Sequence, residues 1–168
     1  LAKVPYDKVL ATTKQLFDKN QRKFATFAAL LAPTHHTVIV TGSPQFIAEA
    51  AAEVLGIDQT ISTFFAVEQG VFTGKISQRL AYEAEKVVAV RQALPHFKRR
   101  GSFAFGDSEG DAGILGMAEH AICINPSRGL RLLAKKNQWL IANNRTVDSI
   151  IQGQLADQTA RTCRSQRR

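Results

Sequence analysis

The sequence is 168 residues long, 45% hydrophobic and 21% charged, with a formal net charge of +8. That size suits one ordinary domain or a domain with a small appendage, and the apolar content is enough for a packed core, which excludes a disordered chain. The longest apolar stretch, Phe24 to Ala32, is far too short to span a bilayer, and no signal-peptide pattern opens the chain, so no membrane partner is expected.

The positive charge is unevenly spread. Arg161, Arg164, Arg167 and Arg168 carry half of the excess with no acid among them. No Lys/Arg stripe with interleaved aromatics occurs elsewhere, so binding of nucleic acid or another polyanion is a minor alternative that rests on the tail. Cys123 and Cys163 lie 40 positions apart without metal-ligand spacing. Cys123, within Ala-Ile-Cys-Ile, reads as a small buried apolar residue, and a reducing cytoplasmic location is expected.

In chain order, residues 6–31 recur at helical spacing through Val9, Leu10, Leu16, Phe17, Phe24, Phe27, Leu30 and Leu31. They read as one or two amphipathic helices, stopped by Pro33. Thr37 to Thr41 is a β-branched run, as in a parallel strand. It ends in Gly42-Ser43-Pro44, read as a tight turn with Pro44 in the first turn of a helix over Phe46 to Leu55. Strand, hydroxyl-bearing turn and helix N-terminus make a plausible anion site, although Ser-Pro before a helix is also a routine cap.

Residues 61–76 form a hairpin pattern with Gly70 at the turn. Ala81 to Leu94 then reads as a helix carrying Lys86, ordinarily a solvated charge. Two more strands are expected at His120–Asn125 and Gln138–Ala142, with a short basic helix over Leu130–Lys136 between them. Residues 156–168 read as a disordered polar tail. Strands alternating with helices from Thr37 onward indicate a doubly wound α/β sheet.

Between the 81–94 helix and those last strands lies Phe103 to Asp111, Phe-Ala-Phe-Gly-Asp-Ser-Glu-Gly-Asp. The aromatic run is a short buried strand that Gly106 ends, and Asp107 stands where it leaves the sheet. The carboxyl end of a strand is where open α/β sheets bind ligands. Asp107 and Asp111 are hard oxygen ligands four residues apart, suited to one small divalent cation such as Mg²⁺. The competing reading is a helix cap at Asp107 or Ser108, with a first-turn acid against the helix dipole.

Taken together, Thr41-Gly42-Ser43, Lys86 and the Asp107–Asp111 pair resemble, in order and kind, the haloacid dehalogenase superfamily in its phosphoserine phosphatase-like subclass IB. The resemblance covers roughly residues 30–142. Val38-Ile-Val-Thr-Gly-Ser-Pro44 looks like the second motif, with Thr41 the phosphate-binding hydroxyl and Gly42 an amide donor. Tyr82-Glu-Ala-Glu-Lys86 looks like the third, with Lys86 the charge-stabilising lysine. Phe105 to Asp111 looks like the fourth, with Asp107 a Mg²⁺ ligand and Asp111 its support. Asn125-Pro126, Leu130, Leu133 and Trp139 also fall where the subclass has similar residues.

The resemblance implies a Rossmann-like parallel sheet flanked by helices, and a Mg²⁺-dependent phosphatase acting on a small phosphorylated metabolite through an aspartyl phosphate. Residues 1–33 would be the end of a helical cap and its return, 34–145 the core, and 146–168 a basic disordered extension. Two departures stand out. Gly110 replaces an Asn frequent before the second aspartate in close relatives of phosphoserine phosphatase, which puts phosphoserine itself in doubt. The first motif, Asp-x-Asp-Gly-Thr, occurs nowhere in the 168 residues. It supplies the nucleophile and the central strand, so the sheet is expected to lack that strand and the chain alone to be inactive. The expectation is that Leu1 is not a natural start and that family sequence precedes it. A catalytically silent phosphate- or metal-binding relative is the alternative.

Overall fold

The computed structural model describes residues 1–20, 31, 33–80 and 83–165. They fall into two compact units, Leu1–Ala93 and Leu94–Arg168, so the stretch 34–145 expected as one core is divided between them. Phe24, Phe27, Leu30 and Tyr82, used in the sequence reading, lie outside the described residues. No described helix is long and apolar enough to cross a membrane.

In the first unit, helix α1 (Tyr6–Asn20) precedes strand β1 (Val38–Pro44), helix α2 (Gln45–Leu55), strands β2 (Gln59–Glu68) and β3 (Val71–Gln78), and helix α3 (Glu83–Ala93). β1 pairs parallel with the first half of β2, Val38 opposite Gln59, and β3 pairs antiparallel with its second half, Glu68 opposite Val71. Gln69 and Gly70 close the hairpin with φ of 49° and 78°, the twist that two-residue hairpin turns favour. One strand thus serves two neighbours, at the cost of register breaks after Phe64. Gln45 mends one: its buried amide donates to the Phe65 carbonyl and accepts the Phe65 N–H, at 2.9 and 2.8 Å.

The core of this unit is aromatic. Phe46, Phe65 and Phe72 meet edge-on at 5.6–6.5 Å between centroids, and Tyr6 joins Phe72 at 5.4 Å, geometries that ring quadrupoles favour. α1 packs on α2, tied by the Tyr6 hydroxyl donating to Glu49 and by a Lys14–Glu53 ion pair. Burial, reinforced by Glu49, holds the Tyr6 phenol far above its usual range. Asp58 fastens the entry to β1, accepting the Thr37 N–H and hydroxyl at 2.7 and 2.8 Å.

The second unit contains strand β4 (Phe103–Gly106), a 3₁₀ turn (Glu109–Asp111), helix α4 (Ala112–Met117), strand β5 (His120–Ile124), helix α5 (Arg128–Asn137), strand β6 (Leu140–Ala142) and helix α6 (Val147–Ser165). Its strands are parallel in the order β4-β5-β6. Leu115, Cys123, Leu130 and Ala134 are fully buried between helices and sheet. The fold class is thus α/β with parallel strands and flanking helices. Among the described residues the strands form two three-stranded sheets, with β1 outermost in one and β4 outermost in the other.

The extension expected to be disordered is helical through Ser165. Asn143 opens it, its Oδ1 accepting the N–H groups of Arg145 and Thr146. Val147 and Ile151, one turn apart, are buried at 2% and 0% exposure. Burying two such side chains contributes about 1.5–3 kcal/mol each, enough to hold a helix whose other faces are polar. Arg161 pairs with Glu119 at 3.3 Å, so that tail cation has a partner within the unit.

Candidate functional site

Five residues are expected to carry the chemistry: Thr41, Gly42 and Lys86, which lie in the first unit, and Asp107 and Asp111, which lie in the second. In the first unit the expected tight turn at residues 42–44 is instead the irregular end of β1. Pro44 still pairs with Thr63, after a register shift, and is the N-cap of α2 and not in its first turn. A residue without an N–H is tolerated at such a ladder break. The Thr41 Oγ1 accepts the Ser43 N–H at 3.1 Å, which leaves its own proton available to an acceptor. Gly42 is exposed, and a Cβ there would stand 2.9 Å from the Leu80 carbonyl oxygen. Leu80 is itself buried and donates its N–H to Thr63 Oγ1 at 3.1 Å, so the backbone has little room to yield. α3 packs on β1 and β2 and carries the half-exposed Lys86. No side chain caps α2 and no acid stands in its first turn.

In the second unit β4 ends at Gly106, and a single carboxylate oxygen organises the turn beyond it. Asp111 Oδ2 accepts the Asp107 N–H at 3.2 Å, the Ser108 N–H at 3.4 Å and the Ser108 hydroxyl at 3.2 Å. Ser108 and Asp111 form a reciprocal capping box on the 3₁₀ turn. Gly106 is required sterically, because a Cβ there would stand 2.5 Å from Asp111 Cβ. Asp107 is exposed at the carboxyl end of the β4–β5 pair. The cap and the exposed acid therefore coexist: Ser108 and Asp111 build the cap, and Asp107 projects from the loop they fix.

Ser127 approaches this loop from the start of α5. Its N–H donates to the Asp107 carbonyl at 2.8 Å, and its hydroxyl donates to Glu109 Oε2 at 2.7 Å. The Ser127 hydroxyl, followed by the N–H groups of Glu109 itself and of Gly129, holds the Glu109 carboxyl below its usual range. Neither Glu109 nor Ser127 stands out in the sequence. Ser127 has a local signal, a serine three residues before the apolar Leu130 whose N–H it caps at 3.2 Å; Glu109 has none. Asn125, with φ of 45°, turns the chain from β5 toward α5. Beneath, burial and then the Asp111 charge raise the Cys123 thiol above its usual range, so it is a packing group and not a nucleophile.

Hard carboxylates at Asp107 and Asp111 suit Mg²⁺, which commonly takes one or two carboxylates and fills its shell with water and substrate phosphate. Among the described residues no three His, Cys, Asp or Glu side chains gather as a fuller ligand set. A separate cavity of about 320 Å³ lies at the amino ends of β5 and β6, lined by Arg99, Glu119, His120, Trp139 and Gln154 among others. Asp107, at the carboxyl end of β4, has no part in it.

Comparison with known proteins identifies the family and the fold. The family model described as haloacid dehalogenase-like hydrolase matches residues 3–116. The inhibition of morphological differentiation protein of Streptomyces azureus is 33% identical over 122 residues, covering 68% of this chain and 44% of its own. Phosphoserine phosphatase SerB1 of Mycobacterium tuberculosis is 30% identical over 112 residues, covering 64% and 35%. The chain thus spans less than half the length of these relatives. Among solved structures, a protein of unknown function from Bordetella pertussis Tohama I superposes with a TM-score of 0.70 at 25% identity, over 83% of this chain and 67% of that one. A phosphoserine phosphatase in its apo form gives 0.63 at 18% identity, over 90% and 74%, a likeness of fold.

Proposed function

Because the chain belongs to the haloacid dehalogenase-like hydrolases, we propose that it is part of a Mg²⁺-dependent phosphatase acting on a small phosphorylated metabolite. The observation that carries this reading is the Asp107 loop, an exposed carboxylate on a backbone gathered by Asp111 Oδ2. Asp107 would hold Mg²⁺, and Asp111 would keep Asp107 in place. When bound, the cation would neutralise phosphoryl oxygens and polarise the bond to be broken.

The remaining roles go to the first unit. Thr41 would donate its hydroxyl proton to a phosphoryl oxygen, and the Gly42 amide would approach the same group. The uncapped N-terminus of α2 favours an anion there, and Lys86 would offset charge developing in transfer. In this reading the phosphoryl group passes to an aspartate and then to water. No Asp-x-Asp pair is found in the 168 residues. We therefore assign phosphate and metal holding to this chain, and turnover to a polypeptide that also carries such a pair. The name of the SerB1 relative favours a phosphomonoester substrate, while Gly110 argues against phosphoserine itself.

The test is hydrolysis of an aryl phosphate by a polypeptide that joins this chain to an Asp-x-Asp strand. Activity is expected only with Mg²⁺, and Asp107→Ala is expected to abolish it. Mg²⁺-dependent turnover that survives in Asp107→Ala would refute the metal assignment. A joined polypeptide that binds phosphate but never turns over would favour the catalytically silent alternative.

A further inference from the structure

We propose that Glu109 is a positioning residue, whose carboxylate, clasped by Ser127 and Gly129, fixes the direction in which Asp107 leaves its loop. The inference rests on the reading of Asp107 as a metal-binding carboxylate. Both peptide groups flanking the Asp107 Cα are pinned. The N–H donates to Asp111 Oδ2 at 3.2 Å, and the carbonyl accepts the Ser127 N–H at 2.8 Å. With those two held, only the side-chain torsions of Asp107 remain free, so its carboxylate samples a small region of space.

The first of these pins comes from within the loop. The second comes from Ser127, outside it, and Glu109 ties Ser127 to the loop. The Ser127 hydroxyl accepts the Leu130 N–H at 3.2 Å as cap of α5 and spends its single proton on Glu109 Oε2 at 2.7 Å. The Gly129 N–H also reaches the Glu109 carboxylate. The fit extends to shape: a Cβ at Gly129 would stand 1.7 Å from Glu109 Oε1, so no other residue at 129 leaves the carboxylate where it is. Capping α5 needs only the Ser127 hydroxyl oxygen. The link from Ser127 to an exposed glutamate 18 positions earlier adds nothing to a buried core. What it joins is the segment holding the Asp107 carbonyl and the turn just beyond Asp107.

The Glu109 carboxylate sits at the far end of a flexible, exposed side chain, which makes the clasp separable from the fold. Gly129→Ala should push the carboxylate aside without displacing backbone. The test uses the 168-residue chain with Mn²⁺ as a paramagnetic probe, read by broadening of the Asp107 and Ser108 amide signals, alongside thermal unfolding and amide exchange at Ser127. Glu109→Ala is expected to weaken Mn²⁺ binding roughly ten-fold or more, as loss of an outer-shell support does, with the melting temperature nearly unchanged. Gly129→Ala should reproduce that loss, and the double variant should be no weaker than either single one, since both remove one contact. Glu109→Gln, whose amide oxygen still accepts from Ser127, should recover most of the affinity.

Wild-type affinity in Glu109→Ala would overturn the proposal. So would a loss in Glu109→Ala that Gly129→Ala does not share. If the wild-type chain shows no broadening at Asp107, the metal reading itself fails. The clasp is then judged by Ser127 amide exchange alone: faster exchange in both variants upholds it, and unchanged exchange refutes it.

Discussion

The end of β1 and the loop after β4 both lead a parallel strand into a helix, yet they are held by opposite means. The first is held by neutral groups and by shape, through the Thr41 hydroxyl under Ser43 and Gly42 against the Leu80 carbonyl. The second is held by carboxylates, Asp111 from within and Glu109 toward Ser127. A strand end meant to present donors to an anion gains from having no acid in the first turn of the helix that follows. The loop that carries Asp107, Glu109 and Asp111 within five positions turns two of its carboxylates to backbone and hydroxyl donors and leaves Asp107 exposed. The means of support therefore matches the charge that each strand end is proposed to meet.

The largest expected effect tests the anchoring of α6 in the second unit. Ile151→Ala should destabilise the second unit by about 2–5 kcal/mol, as truncation of a fully buried isoleucine does. Urea unfolding monitored by Trp139 fluorescence measures it, and a change within error would mean that α6 is peripheral. Next comes Gly106→Ala, expected to cost about 1–3 kcal/mol because its methyl would overlap Asp111 Cβ, which cannot swing away. The Asp107 and Ser108 amide shifts should move with it, and an unperturbed loop would show that steric fit is unimportant there.

A smaller effect contrasts the two supports directly. Asp111→Ala strips an acceptor from three donors and should cost more than Thr41→Val, which strips it from one. About 1–2 kcal/mol against about 0.5 kcal/mol is the scale for partly exposed hydrogen bonds. The reverse order in paired denaturation curves would break the comparison.

The smallest effect is acidic. Bonds from the Thr37 N–H and hydroxyl depress the Asp58 pKa. Its contribution is therefore complete above the unfolded carboxyl range near about 4 and fades as pH falls through the lower folded value. Asp58→Asn should flatten that acid limb in the Thr37 amide shift, and an identical limb in the variant would remove Asp58 as its source.

Much of the fold is legible in the sequence because its signals are local. Thr37 to Thr41, the residue 61–76 hairpin and Phe103 to Phe105 declare themselves by β-branched or aromatic content between glycines and prolines. α6 escapes such a reading because, among its described residues, Val147 and Ile151 alone are fully buried, and a polar sequence surrounds them. β1 runs on to Pro44 because its pairing with Thr63 of β2 outweighs the local turn chemistry of Gly-Ser-Pro.

The sequence by itself determined the α/β class, the family, and the candidates Thr41, Gly42, Lys86, Asp107 and Asp111, since residue type and order along the chain suffice for each. Only the tertiary structure decided that Asp111 spends an oxygen on its own loop, that α6 is folded, and that Glu109 meets Ser127 and Gly129. The Glu109 contact depends on groups up to 20 positions apart converging within hydrogen-bond distance. Spacing in a sequence does not encode that convergence; the packing of β4, β5 and α5 does.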